Sequence, residues 1–209
     1  MRPISPIIKV CGMRDAENIR EVEALGIDLM GFIFWPKSSR YVSERPNYLP
    51  TRCKRVGVFV DEDIETVHRI ADEYALDYIQ LHGHESPDYC AQLQGFHLIK
   101  AISVSSRNDT ATHKGYEGLV DYFLFDTKCP SVGGSGQQFD WSVLSAYDGN
   151  TPFLLSGGIG PDDAERLRAL RVLDGFPIEK CIGIDLNSRF EQAPGLKDIN
   201  KLKTFIESL

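Results

Sequence analysis

No two cysteines in this sequence stand at a redox or metal-ligand spacing. The five that occur, Cys11, Cys53, Cys90, Cys129 and Cys181, are odd in number and far apart, and the five histidines do not cluster. This argues against a disulfide framework and against a zinc site, so no metal is expected. No apolar run approaches the length of a membrane span, and Met1 to Val10 lacks the apolar core of a secretory signal, so the expected location is cytoplasmic with no membrane partner. An excess of basic charge is missing too: 23 Lys and Arg against 30 Asp and Glu give a net charge of -7, which argues against a nucleic-acid partner. An anionic small molecule is still admissible, because local loop geometry rather than global charge would hold it. There is neither a linker nor a low-complexity segment, and 209 residues with 42% hydrophobic content suit one domain over residues 1–209.

Two late stretches organise what is present. Phe153 to Gly160 reads FLLSGGIG and Cys181 to Phe190 reads CIGIDLNSRF. Each is a short apolar run that stops on small or polar residues, and Pro161, Asp162 and Asp163 after the first mark a helix start. Free backbone N–H groups at a Gly-Gly turn and at the next helix start form an anion site, so a phosphate can sit across both loops. Such loops at the end of a repeating βα pattern suggest the last two strands of a (β/α)8 barrel.

The earlier chain supplies six further units. Apolar strands are predicted over Ile7 to Val10, Leu29 to Phe34, Arg55 to Val60, Tyr78 to Leu81, Leu98 to Ile102 and Tyr122 to Phe125. Helices are predicted over Asp15 to Leu25, Asp63 to Tyr74, Ser86 to Leu93, Asp140 to Ala146, Asp162 to Leu170 and Ile199 to Leu209, with only a weak helical pattern over Asp109 to Tyr116. Pro46 and Pro50 forbid a regular helix across Ser43 to Lys54, so the second βα connection is expected to be short or irregular. Thr127 to Gln138 reads as a glycine-rich loop. The fold class is therefore α/β, a single (β/α)8 TIM barrel. The pattern alone also allows an open doubly wound sheet, although the first βα turn has no GxGxxG.

In a barrel the strand C-termini face the active site, so the polar residues that end strands are the candidates. Cys11 shares a strand face with Lys9, whose charge is expected to lower the thiol pKa towards neutrality and make it a usable base; the alternative is a small buried apolar residue. Asp126 closes the apolar YFLF, where desolvation is expected to raise its pKa as a general acid requires, or else it caps the Thr127 loop. Arg40, in the loop after the second strand, can grip a carboxylate or stand solvated. His82 is expected to be satisfied by local backbone. Asp185 and Gln80 can order substrate hydroxyls or the pocket floor, and Trp35 and Trp141 are expected to be packing residues.

Several motifs resemble one family, in the same order and along nearly the whole chain. They are IKVCGMRD from Ile8, GFIFWPKSSRYVS from Gly31, VGVFV from Val56, IQLHGHE from Ile79, FLFDT from Phe123, GGSGQQFDW from Gly133, LLSGGIGPDDA from Leu154 and GIDLNSRFE from Gly183. The chain resembles the phosphoribosylanthranilate isomerases. That resemblance implies the Amadori rearrangement of N-(5-phosphoribosyl)anthranilate to 1-(2-carboxyphenylamino)-1-deoxyribulose 5-phosphate in tryptophan biosynthesis, on a phosphosugar substrate, without a cofactor, in a monomer or homodimer. It puts Cys11 on the general base, Asp126 on the general acid and Arg40 on the arginine that binds the anthranilate carboxylate. The phosphate loops fall on Gly157 and Gly158 and on the stretch after Asp185, with Asn187 and Ser188. The family's last phosphate loop commonly reads SSG where this chain has Asn187, Ser188 and Arg189. Strain is expected at Arg189 if the family glycine is left-handed, and with it a shifted loop that brings the Arg189 side chain towards the phosphate. A histidine-pathway sugar isomerase resembles a pair of aspartates where Cys11 and Asp126 stand here, and a non-catalytic phosphate-ligand barrel would not need that pair.

Overall fold

A computed structural model describes residues 6–128 and 138–209. Eight parallel strands close on themselves in chain order: β1 (Ile7–Val10), β2 (Leu29–Ile33), β3 (Lys54–Phe59), β4 (Tyr78–Leu81), β5 (His97–Val104), β6 (Tyr122–Thr127), β7 (Phe153–Leu155) and β8 (Cys181–Leu186). β1 pairs with both β2 and β8, which removes every free edge and excludes the open sheet. Side-chain alternation divides each strand between two apolar layers. Leu29, Val56, Ile99, Ala101, Leu124 and Leu154 fill the barrel interior. Met30, Phe32, Phe59, Phe123, Phe125 and Phe153 point outward into the layer under the helices.

The helices begin where the sequence places small acceptors. Asp15, Asp63, Ser86 and Asp198 cap α1 (Ala16–Glu23), α2 (Ile64–Tyr74), α3 (Pro87–Gln92) and α5 (Ile199–Glu207), each by accepting a backbone N–H of the first turn. The helix after β7 is α4 (Ala164–Ala169). After β5 and β6 the chain makes 3₁₀ turns, over Arg107–Gly115 and Trp141–Ala146, in place of α-helices. The first replaces the weak helical pattern expected there. The glycine-rich loop expected over Thr127 to Gln138, and Cys129 with it, lies mostly outside the described residues.

No helix joins β2 to β3, as the two prolines require. Buried Glu23, at the end of α1, anchors this connection instead: its carboxylate accepts from the Tyr48 hydroxyl and from the Thr51 and Arg52 amides. Burial would raise the Glu23 carboxyl, but these donors outweigh it and hold the group below the usual carboxylate range. A second small sheet was not foreseen. β9 (Glu191–Ala193) and β10 (Leu196–Lys197) form an antiparallel hairpin between β8 and α5. Among the described residues no helix is long and apolar enough to cross a membrane.

Candidate active site

Alternation along the strands sends Lys9 and Cys11, Gln80 and His82, Asp126, and Ser156 inward at the C-terminal end of the barrel. Cys11 follows β1 directly and is held by its amide to Leu186 O at 2.9 Å. Its side chain is buried, and so is Lys9. Lys9 Nζ donates to Asp185 Oδ1 at 2.8 Å, and Ser156 Oγ donates to Asp185 Oδ2 at 3.2 Å. Each Asp185 oxygen therefore has one partner at the pocket floor and keeps a lone pair that a substrate hydroxyl can reach. Burial works against the Lys9 charge, but Asp185 and Cys11 outweigh it and hold the lysine above its ordinary value.

This network overturns the expectation that Lys9 brings the Cys11 thiol towards neutrality. Burial pushes the thiol above its ordinary value; Lys9 and Lys197 pull the other way, and the Asp185 carboxylate adds to the rise. Lys9 is not a lone cation beside sulfur. It is one half of an ion pair whose other half, Asp185, opposes part of its effect on the thiol.

Asp126 lies near the end of β6, three strand positions from β1 around the ring, so the two ends face one mouth. Oδ1 accepts from the Thr127 amide at 2.8 Å, as the capping alternative anticipated. Oδ2 stands 3.3 Å from His82 Nε2, and His82 Nδ1 lies 2.8 Å from Gln80 Nε2. The expectation of a histidine satisfied by local backbone is thus corrected: His82 bridges the floor of β4 to the carboxylate on β6.

Arg40 is not a solvated loop arginine. It is buried, and it donates from Nε to Glu191 Oε1 at 2.8 Å and from Nη2 to Glu191 Oε2 at 2.7 Å. Its stem lies over Gly12, where Cδ is 2.7 Å from the point a side chain would occupy. Glu191 also accepts from Lys197 Nζ at 2.6 Å, and the same ammonium donates to Asn187 Oδ1 at 2.8 Å. Burial would raise Glu191 and does lower Lys197; Arg40 and Lys197 together overcome it for the carboxyl, which sits below its usual range. Sequence reasoning missed the roles of Glu191 and Lys197. A Pro194-Gly195 turn flanked by charged residues was the available signal for the hairpin.

The turn after β7 has the backbone the Gly-Gly reading requires. Gly157 and Gly158 have φ of +87° and +68°, and a side chain on Gly157 would meet Thr127 Oγ1. Asp163 Oδ2 accepts from the Gly160 amide at 2.8 Å at the start of the next helix. Opposite, Asn187 and Ser188 lead from β8 into a 3₁₀ turn over Ser188–Phe190. Arg189 carries no left-handed strain: among the described residues only Asp61 and Ala75 have positive φ without being glycine. Its Nε and Nη2 lie 3.2 and 3.5 Å from where a Gly160 Cβ would stand, so the guanidinium crosses to the turn after β7. Trp141 packs in the core with the Arg166 guanidinium 4.5 Å over its ring.

A closed barrel with these residues at one mouth has close parallels. The family model described as N-(5'phosphoribosyl)anthranilate (PRA) isomerase matches residues 8–208. The chain is 52% identical over 205 residues to the N-(5'-phosphoribosyl)anthranilate isomerase of Phocaeicola vulgatus, covering 97% of each chain. The crystal structure of phosphoribosyl anthranilate isomerase from Thermotoga maritima superposes with a TM-score of 0.81 at 33% identity, over 96% of this chain and 97% of that one. A phosphoribosyl anthranilate isomerase crystallised with reduced 1-(o-carboxyphenylamino)-1-deoxyribulose 5-phosphate superposes with a TM-score of 0.78 at 31% identity, over 96% of both chains. On sequence and on fold alike, this chain belongs to the N-(5'-phosphoribosyl)anthranilate isomerase family.

Proposed function

We propose that this chain catalyses the Amadori rearrangement of N-(5-phosphoribosyl)anthranilate to 1-(2-carboxyphenylamino)-1-deoxyribulose 5-phosphate, a step of tryptophan biosynthesis, with Asp126 as general acid and Cys11 as general base. The observation that carries the assignment is their placement at facing ends of β1 and β6, above a floor made by Lys9 and Asp185. Asp126 gives a proton to the furanose ring oxygen; the C1′–O bond breaks and the anilino nitrogen becomes an iminium. That cation acidifies the C2′ proton, which the Cys11 thiolate removes, leaving an enolamine that tautomerises to the ketone. The iminium is the electron sink, so the substrate supplies its own activation.

The thiol's upward shift gives the substrate a second role. A cation forming beside Sγ, in a site already walled from water, favours the thiolate at the moment it is needed. Substrate phosphate is held by the Gly157-Gly158 turn and by the loop of Asn187 and Ser188, whose backbone N–H groups are donors suited to an anion. Asp185 accepts from a substrate hydroxyl with the lone pairs that Lys9 and Ser156 leave over, and Arg40 meets the ring carboxylate with the guanidinium N–H groups that Glu191 leaves over. The protein works as a cytoplasmic monomer or homodimer on this phosphosugar.

The test is turnover of freshly generated phosphoribosylanthranilate, followed by loss of its anthranilate-type fluorescence. The native chain is expected to turn over, and Cys11→Ser and Asp126→Asn each to lose roughly two or more orders of magnitude. Absence of native turnover, with a product analogue still bound, would mark a binding barrel instead.

A further inference from the structure

The side chains of Glu191 and Lys197 are almost wholly covered charges that the acid–base steps leave unused. Their hairpin is pinned from outside the cluster. The Lys197 amide donates to Asn18 Oδ1 at 2.7 Å, Asn18 Nδ2 donates back to Lys197 O at 3.0 Å, and Arg14 Nη2 donates to Pro194 O at 2.9 Å. The backbone of Lys197 is therefore placed by α1 and the segment before it, and its ammonium enters the cluster from a fixed point.

Two consequences follow from the chemistry of that ammonium. Arg40 and Glu191 alone sum to zero charge, and a neutral pair has little attraction for an anion. Lys197, 2.6 Å from Glu191, leaves the trio with one net positive charge above Gly12. An ammonium can also only donate. Its bond to Asn187 Oδ1 turns the carbonyl end of that amide toward the cluster, on the loop after β8.

We propose that Lys197 is a positioning residue for the ring carboxylate of the substrate: it keeps the Arg40–Glu191–Lys197 cluster net positive, so that Arg40 attracts that group. The inference rests on the substrate assignment made above. It departs from a view of Arg40 as sole reader of the carboxylate, since Glu191 already takes two of that arginine's nitrogens.

The experiment compares two non-isomerisable inhibitors, reduced product analogues with and without the ring carboxylate, and reads the ratio of their inhibition constants. In Lys197→Gln the preference for the carboxylate-bearing ligand is expected to fall about tenfold, the size of one charge-assisted hydrogen bond, while the other ligand changes far less. Lys197→Arg, which restores the charge, should recover most of the ratio. Asn187→Asp leaves the lysine in place but cancels its charge, and must lower the same ratio; this variant carries the test should Lys197→Gln fail to fold. An unchanged ratio in either variant, or parallel weakening of both ligands, overturns the proposal. Arg40→Gln separates the two levels of inference. If its ratio matches the native one, the Arg40 assignment itself fails; if only Arg40→Gln loses the ratio, the assignment stands and the role of Lys197 falls.

Discussion

His82 Nε2 stands 3.3 Å from Asp126 Oδ2, while the other Asp126 oxygen is tied to its own neighbour's amide. The carboxylate is thereby fixed on both sides, by β4 through the imidazole and by β6 through Thr127. Its two oxygens have unequal surroundings, and the one facing His82 is the one that a substrate on the pocket side can share.

From this contact His82→Asn should lower kcat about tenfold with KM little changed, because the acid is misplaced rather than removed. Steady-state kinetics decide it. A kcat equal to the native value, with the fold intact, would make the contact incidental.

The pH dependence of kcat/KM follows from the raised Cys11 thiol. The reacting form is the thiolate, and a folded pKa above the ordinary thiol value leaves it a minor species at pH 7. Below that pKa the thiolate fraction grows about tenfold per pH unit, so kcat/KM limited by this base should climb through the neutral range. Iodoacetamide inactivation of the free protein should climb with it. An inflection near pH 7 in both profiles would contradict the buried-thiol account.

Arg189 reaches toward Gly160 from the loop after β8, across the proposed phosphate position. Replacing it with glycine should raise KM for phosphoribosylanthranilate about three- to tenfold with kcat nearly constant, the range of an exposed charge contact. An unchanged or lower KM would count against any role in holding phosphate.

Glu23 stabilises the helix-free wall between β2 and β3. Glu23→Gln should cost about 1–3 kcal/mol at neutral pH, since several donors lose a charged acceptor. Its folded pKa lies below the unfolded one, so this contribution is present above the unfolded carboxylate range, about pH 4.3, and is lost as pH falls through the folded value. Urea unfolding of both proteins should therefore show the gap shrinking below pH 4. A gap independent of pH would assign the effect to packing.

The strands were legible because each is an apolar run ended by a small or polar residue, and Pro46 and Pro50 gave away the missing helix. Cys11, Asp126 and the Gly157-Gly158 turn were legible for the same reason, since they end strands. What the residues next to one another could not reveal was the pairing that sets their electrostatics. Lys9 is two residues from Cys11, but its true partner Asp185 is 176 residues away, and Glu191 is 151 residues from Arg40. Local spacing therefore suggested a lowered thiol pKa, where burial, with the distant Asp185 charge added to it, produces a raised one. The β9–β10 hairpin was missed because strands of three and two residues carry no periodicity to read.

The Lys9–Asp185 pair has a meaning for assembly as well as for charge. It joins the first strand of the barrel to the last, so it forms only when the chain has closed its longest loop. Until β8 docks, the Lys9 ammonium can keep its water and the interior beside Cys11 stays open. Burying Lys9 without Asp185 would cost either an uncompensated charge or its proton. The last barrel strand to be synthesised thus brings both the closed barrel and the dry environment of the base.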